Sequence, residues 1–429
     1  MADKQRVAVL FGGRSPEHDV SIVTGLQALE AIDSARFEAF PVYVSPQGEW
    51  LYGEALAWRN TYLPDPAVRQ GLESVTLDLN AQERGVLLPR DGGLFRRPRP
   101  ILFDVAVLAF HGTRGEDGGI QGLFELANVP YTGMRTLASA VLMDKAATKR
   151  MLRTADIPLL PHVTLTRPQE GLMAPRAAVE AALGAAPFPA IVKPNHLGSS
   201  IGVAKVNDIE ELLAVLPQIF KLDPVVIVEP YVSPLVEYNV AVSAVAGPVR
   251  SSAIERPKRV EELLDFKQKY LSGGTNKSQT KQPGQTSQGM LSLTRDLDPT
   301  LPSELERQIR GCAERAFVAV GGTGAPRVDF LCNSQTGEIW LNEINPCPGS
   351  FGFFLWEAVE PPILFTHFLT GLIEEAFAQH RLAQLPPDPV PEAPLWGLGF
   401  PGPGRPITKC RSCGVRQLAP VSRSRPAPS

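Results

Sequence analysis

The sequence predicts an α/β fold in several domains, passing to α+β toward the C-terminal part. Two observations carry this. The chain opens on RVAVLFGG, an apolar run closed by two glycines and followed by a helical repeat, which is the start of an α/β unit. Strand-like and helix-like stretches then alternate over most of the 429 residues, a length that suits two or three cores.

Taken in order, SPEHDVSIVTGLQALEAI reads as a helix with its repeat from Val20 onward. EAFPVYVS and ILFDVAVLAFHG read as buried strands, IQGLFELANV as a helix, and TLASAVLMDKAATKRMLRTA as one further helix. Residues 1–135 form an N-terminal α/β domain on this reading. A smaller α/β piece follows over 136–225, with FPAIVKPNHLGSSIGVAKV as two strands around a Gly–Ser loop. The third region, 226–385, starts with the strands VVIVEPYV and VEYNVAVSAV. Its residues 262–290 are polar and rich in Gly, Gln, Ser and Thr, and read as a long mobile loop. SELERQIRGCAERAFVAV reads as a helix opened by a capping box of Ser303 and Glu306, with Leu305, Ile309, Cys312 and Ala316 as its apolar stripe. PILFTHFLTGLIEEAFAQH is the last helix. From 386 to 429 the chain carries eleven prolines and reads as a disordered tail. The CRSC pair in it, Cys410 and Cys413, lacks the second pair that a zinc site needs, and reads as incidental.

Composition narrows the function. A net charge of −3 argues against nucleic-acid binding. No run of about 18 apolar residues predicts a membrane span. Five cysteines, an odd count without a secretory leader, suit reduced thiols in a cytoplasm. Neither G-x-G-x-x-G nor G-x-x-x-x-G-K-[ST] occurs, so a nucleotide would need another device.

RVDFLCNSQTGEIWLNEIN supplies the chemistry. It reads as a hairpin turning at NSQTG. Strict alternation puts Glu343 and Asn345 on one face with Ile339 and Leu341, and Asp329 on the partner strand can face them. Two carboxylates and an amide form a hard-cation ligand set of the kind that holds Mg²⁺ beside phosphates; solvated residues on an edge hairpin are the competing reading. Upstream stand Lys193 at a strand end, the small-residue loop 198–202, and IVEPYV, where an adenine could lie against a strand.

With these motifs in this order the chain resembles the D-alanine–D-alanine ligase family of the ATP-grasp superfamily. The resemblance runs from residue 5 to about 380. It rests on VAVLFGGRSPEHDVS, HGTRGEDGGIQGLFELANVPYTG, LASAVLMDKAATKRML, VKPNHLGSSIGVAKV, KYL and RVDF…LNEINPCPG. It implies a three-domain ATP-grasp architecture with a Rossmann-like N-terminal domain. The implied reaction is ATP-dependent joining of two amino acids through an acyl phosphate, in the cytoplasm and in peptidoglycan biosynthesis. The resemblance implies ATP as a substrate, with two Mg²⁺ ions that Mn²⁺ could replace, and allows a homodimer. On ATP the resemblance places Lys145, Lys193, Ser200, Glu229, Val232, Glu237 and Phe266. It makes Asp329, Glu343 and Asn345 the metal ligands. It gives Glu17 the first amino acid's ammonium, with Ser199 and Tyr270 as partners of Glu17, and puts Lys269 on phosphate. Arg327 and the Gly349 N–H lie at the tetrahedral centre, and His111 and Ser350 lie near the substrates. The loop 262–290 becomes a lid that excludes water.

The sequence departs from the family pattern at PGSFGFFLWEAV. Phe354 stands where a serine binds the second amino acid's carboxylate, and Gly352 where another small polar residue stands. Phenylalanine offers no donor. Lys267 also replaces an acid of the lid. The pattern therefore leaves two alternatives open beside the D-alanine ligase: the same chemistry on a different acceptor, and a nucleotide-binding protein without catalysis.

Overall fold

The computed structural model describes residues 4–62, 71–80, 84–90, 99–245, 247–258, 295–384, 408–409 and 416–417. The expectations for the lid over 262–290, for Phe266, Lys269 and Tyr270, and for Cys410 and Cys413 lie outside the described residues. The chain divides into a unit of residues 1–380 and a second of 381–429. In the second, the described backbone includes a two-stranded antiparallel pair, Thr408–Lys409 with Arg416–Gln417.

The large unit is built on three sheets. In the first, β1 (Gln5–Gly12) lies between β2 (Phe37–Val44) and β7 (Val105–Leu108), parallel to both. Beyond β2, strands β3 (Trp50–Tyr52), β4 (Glu73–Leu77), β5 (Gly85–Pro89) and β6 (Ile101–Phe103) extend it antiparallel to seven strands. The apolar run of β1 is buried on both faces, as a central parallel strand requires. Gly12 ends it at φ +96°, where a Cβ would meet the Val44 carbonyl at 2.2 Å. Only glycine passes there, and helix α1 (His18–Ala31) follows.

Helices α2 (Gly119–Leu126), α3 (Thr136–Met143) and α4 (Lys145–Leu152) lead out of this sheet. The single helix expected over TLASAVLMDKAATKRML is thus two. Asp144 breaks it with extended backbone, and its side chain accepts from Ala147 N at 2.7 Å. The break places Lys145 at a helix start.

The second sheet has four strands in the order β10 (Ala204–Val206), β9 (Ala190–Pro194), β11 (Val225–Pro230) and β8 (Val163–Thr166), all antiparallel. Helices α5 (Arg176–Leu183) and α6 (Ile209–Ile219) bury their apolar stripes in its core.

The third sheet has five strands, β14-β13-β12-β15-β16, comprising Arg295–Leu297, Arg250–Pro257, Leu235–Ser243, Arg327–Asn333 and Ile339–Asn345. Helix α7 (Ser303–Ala319) covers one face through Ile309, Cys312, Ala316 and Phe317, so Cys312 is a core residue as expected. The capping box is not formed. Pro302, in extended backbone, holds the cap position, Ser303 is already helical, and Glu306 bonds Arg310 at 2.8 Å instead. Helices α8 (Phe353–Glu357) and α9 (Phe365–Ala383) complete the unit, and their aromatics share a core with β1 and α1.

The hairpin β15–β16 departs from strict alternation. Its register shifts between Asp329 and Phe330: Asp329 opposes Glu343, while Phe330 opposes Leu341. Asn342 is therefore the extra residue of a β-bulge. Ile339, Leu341 and Ile344 all enter the core beneath α7. Glu343 and Asn345 thus face away from Ile339 and Leu341, not with them. The bulge reverses the phase of the strand between residues 341 and 343.

Candidate active site

Two lysines and the bulged hairpin form the centre. Lys193, at the end of β9, reaches the Asn342 side-chain oxygen at 2.8 Å and Glu229 of β11 at 2.6 Å. Lys145 reaches Glu343 at 3.2 Å and the Leu197 carbonyl at 2.7 Å. Lys149, one turn further along α4, holds the other oxygen of Glu229 at 2.6 Å. Glu229 is 2% exposed; burial opposes its charge, yet Lys193 and Lys149 outweigh burial and hold its pKa at about 2. An isolated buried carboxylate would shift upward, so this ion triad is a built feature. Lys149 and Asn342 were missed from the sequence. The signal for Lys149 was its spacing of four from Lys145, which stacks both on one helix face.

Around the hairpin, Arg327 holds Asp329 through two bonds of 2.6 and 2.7 Å, and Asn345 donates to Asp329 at 2.9 Å. Burial raises Asp329 to about 6 against the pull of Arg327. Glu343 shifts the other way: burial opposes its charge, but Lys145 and Lys193 lower its pKa. Among the described residues no group of three or more Asp, Glu, His or Cys converges as a metal would need. A cation here would need its third oxygen from the Asn345 amide. Two facing carboxylates and an amide on a rigid sheet fit a hard divalent ion completed by phosphate oxygens.

The loop after β9 is fastened to α4. Asn195 accepts from Ala146 N at 3.0 Å, and His196 lies 3.0 Å from Asp223, which raises its pKa. Ser199 and Ser200 follow at φ +53° and +59°. These left-handed positions are costly for non-glycine residues and mark a loop held open by its surroundings. Ser199 donates its hydroxyl to Glu17. Burial raises the Glu17 pKa, and the Ser199 bond opposes the shift. Glu17 fits because residue 112 is glycine, at φ +70°; a Cβ there would stand 2.6 Å from Glu17 Oε2.

His111 is buried, bonded to the Thr24 hydroxyl at 2.8 Å, and lowered to about 4 by burial, so its ring is neutral. Thr24 also accepts from Ser350 N at 3.0 Å, and the Ser350 hydroxyl donates to Gln27. Gly349 starts the turn that carries Ser350 and Phe351, both at positive φ. Glu116 was overlooked as a site residue although it lies inside the GEDG motif. It accepts from Gly112 N at 2.6 Å and Cys347 N at 2.8 Å, and burial raises it to about 8. It ties the His111 loop to the segment after β16. Val232 is buried just past β11, and Glu237 lies on β12 opposite Leu331. The structure thus brings together Glu17, Ser199, Lys145, Lys193, Glu229, Arg327, Asp329, Glu343 and Asn345, with His111, Gly349 and Ser350 along one side.

A four-stranded sheet carrying a lysine and a small-residue loop, with a five-stranded sheet carrying oxygen donors, defines an ATP-grasp protein. The family models agree: D-ala D-ala ligase N-terminus matches residues 6–134 and D-ala D-ala ligase C-terminus matches residues 151–373. The chain belongs to the D-alanine–D-alanine ligase family. A D-alanine–D-alanine ligase A of Bradyrhizobium diazoefficiens is 33% identical over 392 residues, covering 90% of this chain and 98% of the relative. A D-alanine–D-alanine ligase of Prosthecochloris aestuarii is 35% identical over 354 residues, covering 82% and 91%. Among solved structures, the D-alanine–D-alanine ligase of Coxiella burnetii superposes with a TM-score of 0.69 at 26% identity, covering 89% of this chain and 96% of that one. The VanG D-Ala:D-Ser ligase of Enterococcus faecalis superposes with 0.68 at 27% identity, covering 87% and 100%.

Proposed function

We propose that this protein joins two amino acids, D-alanine with D-alanine, at the cost of ATP, as a step of peptidoglycan synthesis in the cytoplasm. The observation that carries the reading is the convergence of Lys145 and Lys193 on the Asn342–Glu343 bulge, opposite Asp329. Family membership supports use of ATP and a divalent metal. No described helix is long and apolar enough to cross a membrane. Neither the reading as a binding protein without catalysis nor the one with a different acceptor is favoured by the relatives.

In this reading domains 1–135, 136–225 and 226–385 enclose the site, and the nucleotide lies between the second and third sheets. Lys145, Lys193 and the Ser200 loop take its phosphates, Glu229 and Val232 border the adenine, and Glu237 takes the ribose. Asp329, Glu343 and Asn345 would hold Mg²⁺, two ions in our reading, which would neutralise charge on the phosphoryl oxygens. Glu17, fixed by Ser199, holds the first substrate's ammonium. A carboxylate oxygen of that first amino acid bonds to the γ-phosphorus while the bond to ADP breaks. The second substrate's amine then bonds to the acyl carbon, phosphate departs with the acyl C–O electrons, and the amine loses a proton. Arg327 and the Gly349 N–H stabilise the oxyanion between those events. Neutral His111 orients substrate without adding charge.

A panel of D- and L-amino acids, with ADP release and product mass measured, tests this. Turnover with D-alanine giving the dipeptide mass is expected. ATP binding without ADP release across the panel would overturn it.

A further inference from the structure

The site holds a row of polar residues whose far end no assigned role uses. Glu255, Asn239, Asp329 and Glu343 are successive register partners on β13, β12, β15 and β16. Directly paired residues share a face, so all four lie on the site side, spanning ~15 Å at strand spacing. Asn239 donates to Glu255 at 2.8 Å, and Glu255 is 3% exposed. Its second oxygen accepts from Arg295 of β14 at 2.9 Å. The Arg295 guanidinium also lies over the Phe354 ring of α8, 4.7 Å from its centroid. Its Nε is buried and has no hydrogen-bond partner among the described residues.

A second amino acid brings a carboxylate into a site whose sheet floor is already acidic. It needs a donor that keeps a hydrogen-bonding nitrogen unsatisfied. Arg327 donates twice to Asp329 and is assigned to the oxyanion, Lys145 and Lys193 are assigned to phosphates, and Lys149 is paired with Glu229. Phe354, four residues after Ser350 in the chain, contributes no donor. Arg295 is different: one nitrogen is anchored by Glu255, the ring supports its plane, and Nε is left over. An anchored guanidinium with a free edge suits a carboxylate.

We infer that Arg295, positioned by Glu255 and Phe354, binds the α-carboxylate of the acceptor amino acid. The inference rests on the ligase reading and adds a residue that sets acceptor affinity. A role confined to fastening β14 would affect stability and both substrates alike.

The test uses the purified full chain with ATP and the amino acid that turns over. Acyl phosphate formation is read by hydroxylamine trapping, and dipeptide formation is read separately. Arg295→Gln is expected to raise the acceptor KM 10- to 100-fold, with the ATP KM and the trapping rate within twofold of the parent. Arg295→Lys should recover at least part of the acceptor KM, since it keeps the charge. Phe354→Ser added to Arg295→Gln should also recover part, by supplying a hydroxyl. An unchanged acceptor KM in Arg295→Gln overturns the inference, as does an equal loss of trapping and dipeptide formation in both Arg295 variants. If the parent itself releases no ADP with any amino acid, the ligase reading falls, and this inference falls with it.

Discussion

The Ser199 hydroxyl donates to the Glu17 carboxylate, joining the glycine–serine loop of one sheet to the first helix of another. That bond fixes the acid proposed above to hold the donor substrate's ammonium. Ser199→Ala should lower kcat/KM for the donor about tenfold, the worth of one charge-assisted hydrogen bond. Glu17→Gln should lower it by at least two orders of magnitude. Both should leave the ATP KM within twofold in an ADP-release assay.

Glu229 is clamped by Lys149 and Lys193, and its removal leaves two buried ammonium groups facing each other. Glu229→Gln should destabilise the protein by about 3–5 kcal/mol, read from the urea midpoint. The sign with pH follows from the depressed pKa. The contribution is complete above the ordinary carboxylate value of 4.5 and is lost as pH falls toward about 2. The variant and the parent should therefore converge in stability under acid.

Glu343 faces Asp329 across the bulge and touches Lys145. Glu343→Gln should reduce turnover by orders of magnitude and shift the Mg²⁺ concentration for half-maximal rate upward. Near-normal turnover at unchanged Mg²⁺ demand would remove this residue from the metal site.

Glu375 of α9 accepts from Gly324 N at 2.7 Å, and burial raises its pKa to about 7. The folded state then holds a proton that the unfolded state releases above 4.5. Stability contributed by this group is full below pH 4.5, declines as pH rises toward 7, and is absent above it. Glu375→Gln should raise Tm at pH 8, by the equivalent of about 1–3 kcal/mol, and change it little at pH 4.5.

Much of this site was legible before any coordinates. Asp329, Glu343 and Asn345 stood out because acids and amides interrupt apolar strands. Lys193 and its loop stood out because small residues follow a strand-end lysine. The phase of β16 was not legible. Alternation is a local rule, and the bulge at Asn342 is set by pairing with β15, which brings Glu343 opposite Asp329 while keeping Ile339, Leu341 and Ile344 beneath α7. The split of α3 from α4 was hidden for a related reason, since Asp144 reads as one polar residue in a helical repeat until its cap is seen. The partnership of Arg295 with Glu255 is not legible in the sequence, because it spans the 259–294 segment and only the pairing of β13 with β14 makes them neighbours.

The side chains that meet here run from Glu17 to Ser350, and Glu343 and Asn345 among them come from β16. Synthesis must therefore pass β16 before these side chains can come together. A fragment that stops short of β16 would lack Glu343 and Asn345, so the arrangement forms only once that strand is made.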